Sequence, residues 1–373
     1  MPLKTQCGAR AATQKGRGAT ANPEGRFERL SREADEDGQR PIAPAERSAQ
    51  SGEEWAENTA PLKTFVSAER ARSIIARNES PDIPFNQSIN PYRGCEHGCI
   101  YCYARPSHAY LDLSPGLDFE TRLFAKQNGA ELLRTELSRP GYRCELIALG
   151  ANTDPYQPIE RDWRITRQIL QVCAEFNQPV AIITKSARIE RDLDILSAMA
   201  GRELVQVFIS VTTLDRDLAR RLEPRASAPA RRIQALRALS QANVPCGVMV
   251  APVIPFLTDS AMEQILAAAG DAGAVMAGYT LLRLPYEVKP LFKAWLALHY
   301  PLKARHVMSR VAEMRDGRDN DSEFGRRMRG QGEFAALLAQ RFRIACQRSG
   351  LNERRFRSRV DQFCVPTTQL TLF

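Results

Sequence analysis

The chain has 373 residues, 43% hydrophobic and 25% charged, enough for one large domain or two ordinary ones and too long for a small disulfide-stapled scaffold. Its formal net charge of +9 favours an anionic partner, nucleic acid first, although charge says nothing of fold. The nine cysteines, from Cys7 to Cys364, are an odd number, no apolar signal region follows Met1, and no run approaches the roughly eighteen apolar residues of a membrane span. The expectation is a cytoplasmic protein with no membrane partner, whose clustered thiols hold metal rather than form disulfides.

Residues 1–60 are rich in Gly, Pro, Ser, Ala and mixed charge, which reads as a disordered polar tail. Within it, KGRGATANPEGRFER (15–29) is basic and glycine-rich, open to a phosphate-contacting reading and to that of a solvated tail. An ordered core is expected over 61–300. Its candidate strands are 87–94, 144–152, 179–187, 204–213, 244–255 and 274–285, separated by helical patterns at 118–139, 163–177, 189–201, 228–243 and 259–273. Strand-helix alternation with nearly continuous apolar strands implies a parallel sheet covered by helices. Six units are too few for a closed eight-fold barrel, so the expected fold is α/β, a partial (β/α)6 TIM-like barrel with chemistry at the C-terminal strand ends. Residues 301–373 read as a helical, basic C-terminal extension ending in QLTLF.

NPYRGCEHGCIYCYARPSHAY, residues 90–110, places Cys95, Cys99 and Cys102 within eight positions, just after the first candidate strand of the barrel. Thiolates suit zinc, Cu(I) and iron-sulfur clusters. Structural zinc wants a fourth protein ligand, which here means His97, His108 or a remote cysteine. A four-iron cluster on three thiolates leaves one iron open for chemistry.

The C-x3-C-x2-C spacing, with Tyr101 before the last cysteine, resembles the signature of radical S-adenosylmethionine (SAM) enzymes. Over about residues 85–285 the chain looks most like the spore photoproduct lyase-like branch, which includes DNA repair photolyase-like proteins. The resemblance implies a 4Fe-4S cluster on Cys95, Cys99 and Cys102 whose open iron binds SAM, an electron donor, and reductive cleavage to a 5'-deoxyadenosyl radical. It implies that Tyr101 lies at the cofactor site, and that Lys185 (in ITKS) and Ser210 (in FISVTT) sit near the SAM carboxylate, for which a cation and a hydroxyl are suitable partners. In GANTDPYQPIE, Asp154, with Gly150, Asn152 and Glu160, is a candidate for the amino group or ribose, against the alternative of a capped turn. Glu223, in RRLEPRA, is a candidate for cofactor or substrate, against a surface ion pair. One position departs from the lyase: Ala151 stands where its hydrogen-donating cysteine would be, and Cys144 is too far upstream to replace it. Cys173 and Cys246 fall on apolar patterns and read as buried, inert thiols.

The C-terminal arginines, among them Arg326, Arg327, Arg329, Arg341, Arg343, Arg348, Arg354, Arg355, Arg357 and Arg359, suit DNA or RNA phosphates or a solvated helix face. Gln369, Leu370, Leu372 and Phe373 resemble the pentapeptide that docks on bacterial sliding clamps, against a tail folded onto its own domain. The reading as a whole is a radical SAM enzyme acting on nucleic acid. The alternatives are a radical enzyme for a protein or metabolite, and a non-catalytic cluster or zinc protein that binds nucleic acid.

Overall fold

The computed structural model describes residues 14–27, 62–354 and 356–366. Ten strands occur among them: β1 Phe65–Glu69, β2 Ile75–Arg77, β3 Gln87–Ile89, β4 Tyr92–Arg93, β5 Arg122–Lys126, β6 Ile147–Leu149, β7 Val180–Thr184, β8 Val205–Ser210, β9 Cys246–Val253 and β10 Met276–Leu281. The main sheet has the order β10-β9-β8-β7-β6-β3-β2. Its pairs from β3 to β10 are parallel, and β2 alone adds antiparallel to the edge. These six parallel strands coincide with the six expected ones and form the partial barrel. Helices cover the sheet, so the strands are mainly apolar and mostly buried, with partly exposed positions alternating along β8 and β9 and running through β10. In the helix Ile165–Glu175, for instance, Ile165, Ile169, Leu170, Val172 and Cys173 are buried, the spacing of a single stripe.

Three stretches differ from expectation. Residues 118–139 are not one helix but a helical turn, Asp118–Thr121, then β5, then the helix Gly129–Leu137. β5 alternates, with Leu123 and Ala125 buried, and pairs in parallel with β1 from far upstream, a partner that local helical periodicity does not reveal. The candidate strand 87–94 is broken at Asn90-Pro91; β3 stays in the barrel, while β4 leaves for the small sheet β1-β5-β4. Residues 14–27, expected in a disordered tail, are seated on the turns around Ser114 and Glu120: Asn22 and Asp118 exchange two 2.9 Å hydrogen bonds, and Ser114 Oγ donates to Pro23 O.

The C-terminal region is helical, with Pro301–Glu313 and Gly332–Arg348. The latter packs on the helix Met262–Asp271 and brings Leu338, Ala345 and Cys346 into the main core. No helix among the described residues is long and apolar enough to cross a membrane.

Candidate active site

The loop after β4 carries Cys95, Cys99 and Cys102, all free thiols. The main chain turns tightly there, with Gly98 N donating to Cys95 O and Cys102 N to Cys99 O. Gly98 has φ +69, and a β-carbon on it would lie 2.8 Å from Glu120 Oε2, so both the conformation and the space require glycine. Burial raises all three thiol pKa values, and the charges of the cysteines act on one another. Lys185 opposes that rise at Cys99 and Cys102, which places its ammonium within electrostatic reach of both. The chemistry of the donor set, three unpaired soft thiols beside a cation, fits an iron-sulfur group. Neither histidine of the zinc alternative joins the thiols: His97 Nδ1 lies 3.3 Å from Asp154 Oδ2 and His108 Nε2 2.9 Å from Arg122 O. Among the described residues no three Cys, His, Asp or Glu side chains converge on a single ion.

Tyr101, Lys185, Ser210 and Glu223 come together in one buried network at the C-terminal ends of β7, β8 and β9. Lys185 directly follows β7, and its Nζ donates to Ser210 Oγ at 2.7 Å and Ala251 O at 3.2 Å and lies 3.2 Å from Glu223 Oε1. Tyr101 OH donates to the same carboxylate oxygen, as does Thr212 Oγ1 at 2.6 Å. Arg232 pairs with Glu223 Oε2 and donates to Ser210 O at 2.9 Å. Glu223 reaches this place because the helix Arg216–Leu222 ends there; Pro224 disfavours helical geometry at Glu223, whose backbone turns out of the helix. Burial alone would raise the pKa of Glu223, but Arg232, Lys185 and the hydroxyls of Thr212 and Tyr101 hold it well below the ordinary carboxylate range. The surface ion-pair alternative is thereby overturned, since Glu223 is 2% exposed.

Asp154 has a different place. Its carboxylate accepts from Thr184 Oγ1 (2.6 Å), Lys185 N (2.7 Å) and Tyr156 N (2.9 Å), so it fixes the main chain at Lys185 and touches the cysteine loop through His97. Its oxygens are taken up by protein donors. Glu160 lies in a separate network with Tyr92 and Arg191, and Asn152 N is held by Asn90. Ala151 O accepts from Tyr103 OH, so the tyrosine after Cys102 contacts the residue that replaces the expected cysteine.

Sequence reasoning missed Thr212 and Arg232. Thr212 follows Ser210 by two, the spacing that returns a side chain to the same face. Arg232 stands in line with Ala235, Leu236 and Leu239 on the buried stripe of the helix Pro229–Gln241, a placement readable from periodicity. At the end of β10, Arg283 lies half-buried with its guanidinium 5.6 Å from the Tyr103 ring, near Arg327, which pairs with Asp82.

Several C-terminal arginines are engaged within the chain: Arg326 with Asp321 and Glu323, Arg341 with Glu263, and Arg359 with Asp361. Arg329, Arg343, Arg348, Arg354 and Arg357 are exposed and outside the ion pairs of the described residues. Arg355, Gln369, Leu370, Leu372 and Phe373 lie outside the described residues.

Comparison with known proteins gives a consistent picture. The family model of the Radical SAM superfamily matches residues 89–269. An uncharacterized protein of Mycobacterium tuberculosis is 40% identical over 247 residues, 64% of this chain and 71% of that protein. One from Methanocaldococcus jannaschii is 26% identical over 224 residues, 60% of this chain and 80% of that protein. Spore photoproduct lyase, solved with dinucleoside spore photoproduct, has the same fold, with a TM-score of 0.55 at 15% identity over 77% of this chain and 80% of that one. A variant of that lyase solved with AdoMet and the same dinucleoside gives 0.53 at 15% identity, with the same coverage of both chains.

Proposed function

The chain belongs to the radical SAM superfamily, whose cofactors are a 4Fe-4S cluster and S-adenosylmethionine, and on that premise we propose that Cys95, Cys99 and Cys102 hold the cluster, that Lys185 and Ser210 meet the SAM carboxylate, and that the substrate is nucleic acid. The observation that carries this reading is the Lys185 ammonium, 16% exposed, at the strand end beside two of the thiols. Lys185 and Arg232 supply two positive charges against the single negative charge of Glu223, leaving one for an incoming anion. The ammonium spends its three N–H groups on Ser210, Ala251 and Glu223, so a ligand carboxylate takes over one of them, the long contact to Ala251 O being the weakest. Glu223 holds Lys185 in place, Thr212 and Arg232 hold Glu223, and Asp154 fixes the main chain beneath; all four act as positioning groups. When bound, the cluster and SAM supply a 5'-deoxyadenosyl radical through one-electron reduction of the sulfonium.

Two features support nucleic acid as the substrate: the likeness in fold to an enzyme solved with a dinucleoside, and Arg283 over Tyr103 at the end of β10, a cation at the barrel mouth suited to phosphate, with Arg327 nearby held by Asp82. The missing thiol at Ala151 argues for a reaction other than the lyase's own. Deuterium tracing tests the substrate class. The reconstituted, reduced enzyme is given SAM and perdeuterated DNA or RNA, and 5'-deoxyadenosine is examined by mass spectrometry. Deuterium in the product is the expected result; 5'-deoxyadenosine without deuterium from either nucleic acid moves the substrate to proteins or metabolites.

A further inference from the structure

Residues 14–20 of the glycine-rich N-terminal segment are built into the protein and form one wall of a second cavity. Arg17 N donates to Gln14 O across a turn with Gly16 at φ +73. Gly18 N and Ala19 N then donate to the Glu120 carboxylate at 3.0 and 2.8 Å, and Arg17 Nη1 to Glu120 O at 2.9 Å. A β-carbon on Gly18 would lie 1.8 Å from Gly98 O, so backbone lies directly on the backbone of the cysteine loop. This seats the segment opposite the helix Arg216–Leu222, and a cavity of about 300 Å³ remains between them.

That cavity is basic. Gly16, Arg17 and Thr20 form one side, Arg220 and Arg221 the other, and His299 a third, with no carboxylate in the lining. The nearest acid to Arg220 is Asp217 at 3.2 Å, an exposed pair of small energetic weight. Arg17 is 7% exposed and satisfied by carbonyls and a hydroxyl rather than by a carboxylate. Thr20 Oγ1 is buried without a hydrogen-bond partner. Burial and then the neighbouring Arg221 lower the pKa of His299. Positive charge without a carboxylate in the lining, together with an unused hydroxyl, suits an anion.

We propose that this cavity is a phosphate-binding site, taking the phosphate of a free nucleotide or of a nucleic-acid backbone. Guanidinium groups present planar forks that match phosphate oxygens, the exposed Arg220 and Arg221 border the cavity on one side, and the glycine turn at Gly16 lets an anion approach the main chain on the other. The volume is at the lower end of small-ligand sites, enough for a phosphate with its sugar. The site is separate from the cysteine centre but shares a wall with it, since Leu222 O accepts from Ile100 N and Pro224 lines the cavity.

The protein carries its own reporter. Trp295 Nε1 donates to Arg221 O at 3.1 Å, and its ring lies 5.1 Å from that of His299. The full chain, with Trp55→Phe and Trp163→Phe, is titrated at constant ionic strength with pyrophosphate, a nucleoside 5'-monophosphate and a single-stranded oligonucleotide while Trp295 emission is followed. No cluster is needed, so the outcome is independent of the proposed radical chemistry. We expect saturable binding that the exposed double variant Arg220→Gln/Arg221→Gln weakens tenfold or more with an unchanged melting temperature. Tighter binding of the oligonucleotide than of the monophosphate identifies the backbone as the source, and the reverse order identifies the nucleotide. No saturable change with any of the three, or equal affinity in the double variant, overturns the proposal.

Discussion

Two buried networks in this molecule use the same chemistry and come out differently. In one, Glu160 and Asp192 accept from Tyr92 and Tyr156 and pair with Arg191 and Arg167, and Arg167 also holds the more exposed Asp194; every guanidinium there has its carboxylate and no cation is in excess. In the other, Glu223 accepts from Tyr101 and Thr212 and faces both Arg232 and Lys185, with one cation in excess beside the thiols. A closed network holds elements together; one with a surplus lysine at a strand end has something left for a ligand. Tyrosine, carboxylate and arginine in themselves therefore do not mark a site, and the count of charges does.

The largest effect expected is from Cys99→Ala, which removes one of three ligands: after anaerobic reconstitution, iron and sulfide should fall to a small fraction of wild type, and unchanged content would deny the cluster. Next come matched substitutions in the two networks. Glu223→Gln leaves the buried Arg232 without its carboxylate and should cost about 3–5 kcal/mol in denaturant unfolding, whereas Glu160→Gln should cost less, because Arg191 is partly exposed and keeps Asp192. Only the first should weaken SAM binding to the reconstituted protein; equal losses of affinity would erase the distinction. Lys185→Met should reduce SAM affinity by roughly 10- to 100-fold, the loss of one charge-assisted contact and its hydrogen bonds, with a smaller stability cost than Glu223→Gln.

The pH dependence sharpens the same contrast. Because the folded pKa of Glu223 is depressed, its contribution to stability is full above the ordinary carboxylate value of 4.5 and is lost as pH falls from there toward the folded value. Stability measured from pH 6 to pH 3 should thus fall more steeply in wild type than in Glu223→Gln, and parallel curves would contradict the assignment. A smaller effect is expected at Gly98→Ala, where left-handed backbone and the close Glu120 carboxylate cost about 1–3 kcal/mol and lower iron occupancy.

Much of this was legible in the sequence. The six barrel strands are apolar runs bounded by turn residues, and local pattern is enough to find them. The strand β5 was hidden because its pairing partner, β1, is remote, and residues 14–27 were hidden because their order comes from main-chain contacts with Glu120 and Gly98 rather than from apolar side chains. At the site, the residues around Lys185 and Glu223 are partly sequence neighbours of a motif, such as Ser210 and Thr212, and partly not: Arg232 comes from the helix Pro229–Gln241, outside any motif, and is 1% exposed. Asp154 was found for its position, but its carboxylate is taken up in holding the main chain of Lys185.

The most direct test of the central claim is reductive cleavage of SAM by the reconstituted protein. Under anaerobic conditions, with dithionite as reductant, the wild-type chain should release 5'-deoxyadenosine, Cys99→Ala should release none, and Glu160→Gln should retain the activity where folded. Reconstituted wild type that carries iron and sulfide but forms no 5'-deoxyadenosine, or a Cys99→Ala variant that forms as much as wild type, would contradict the account.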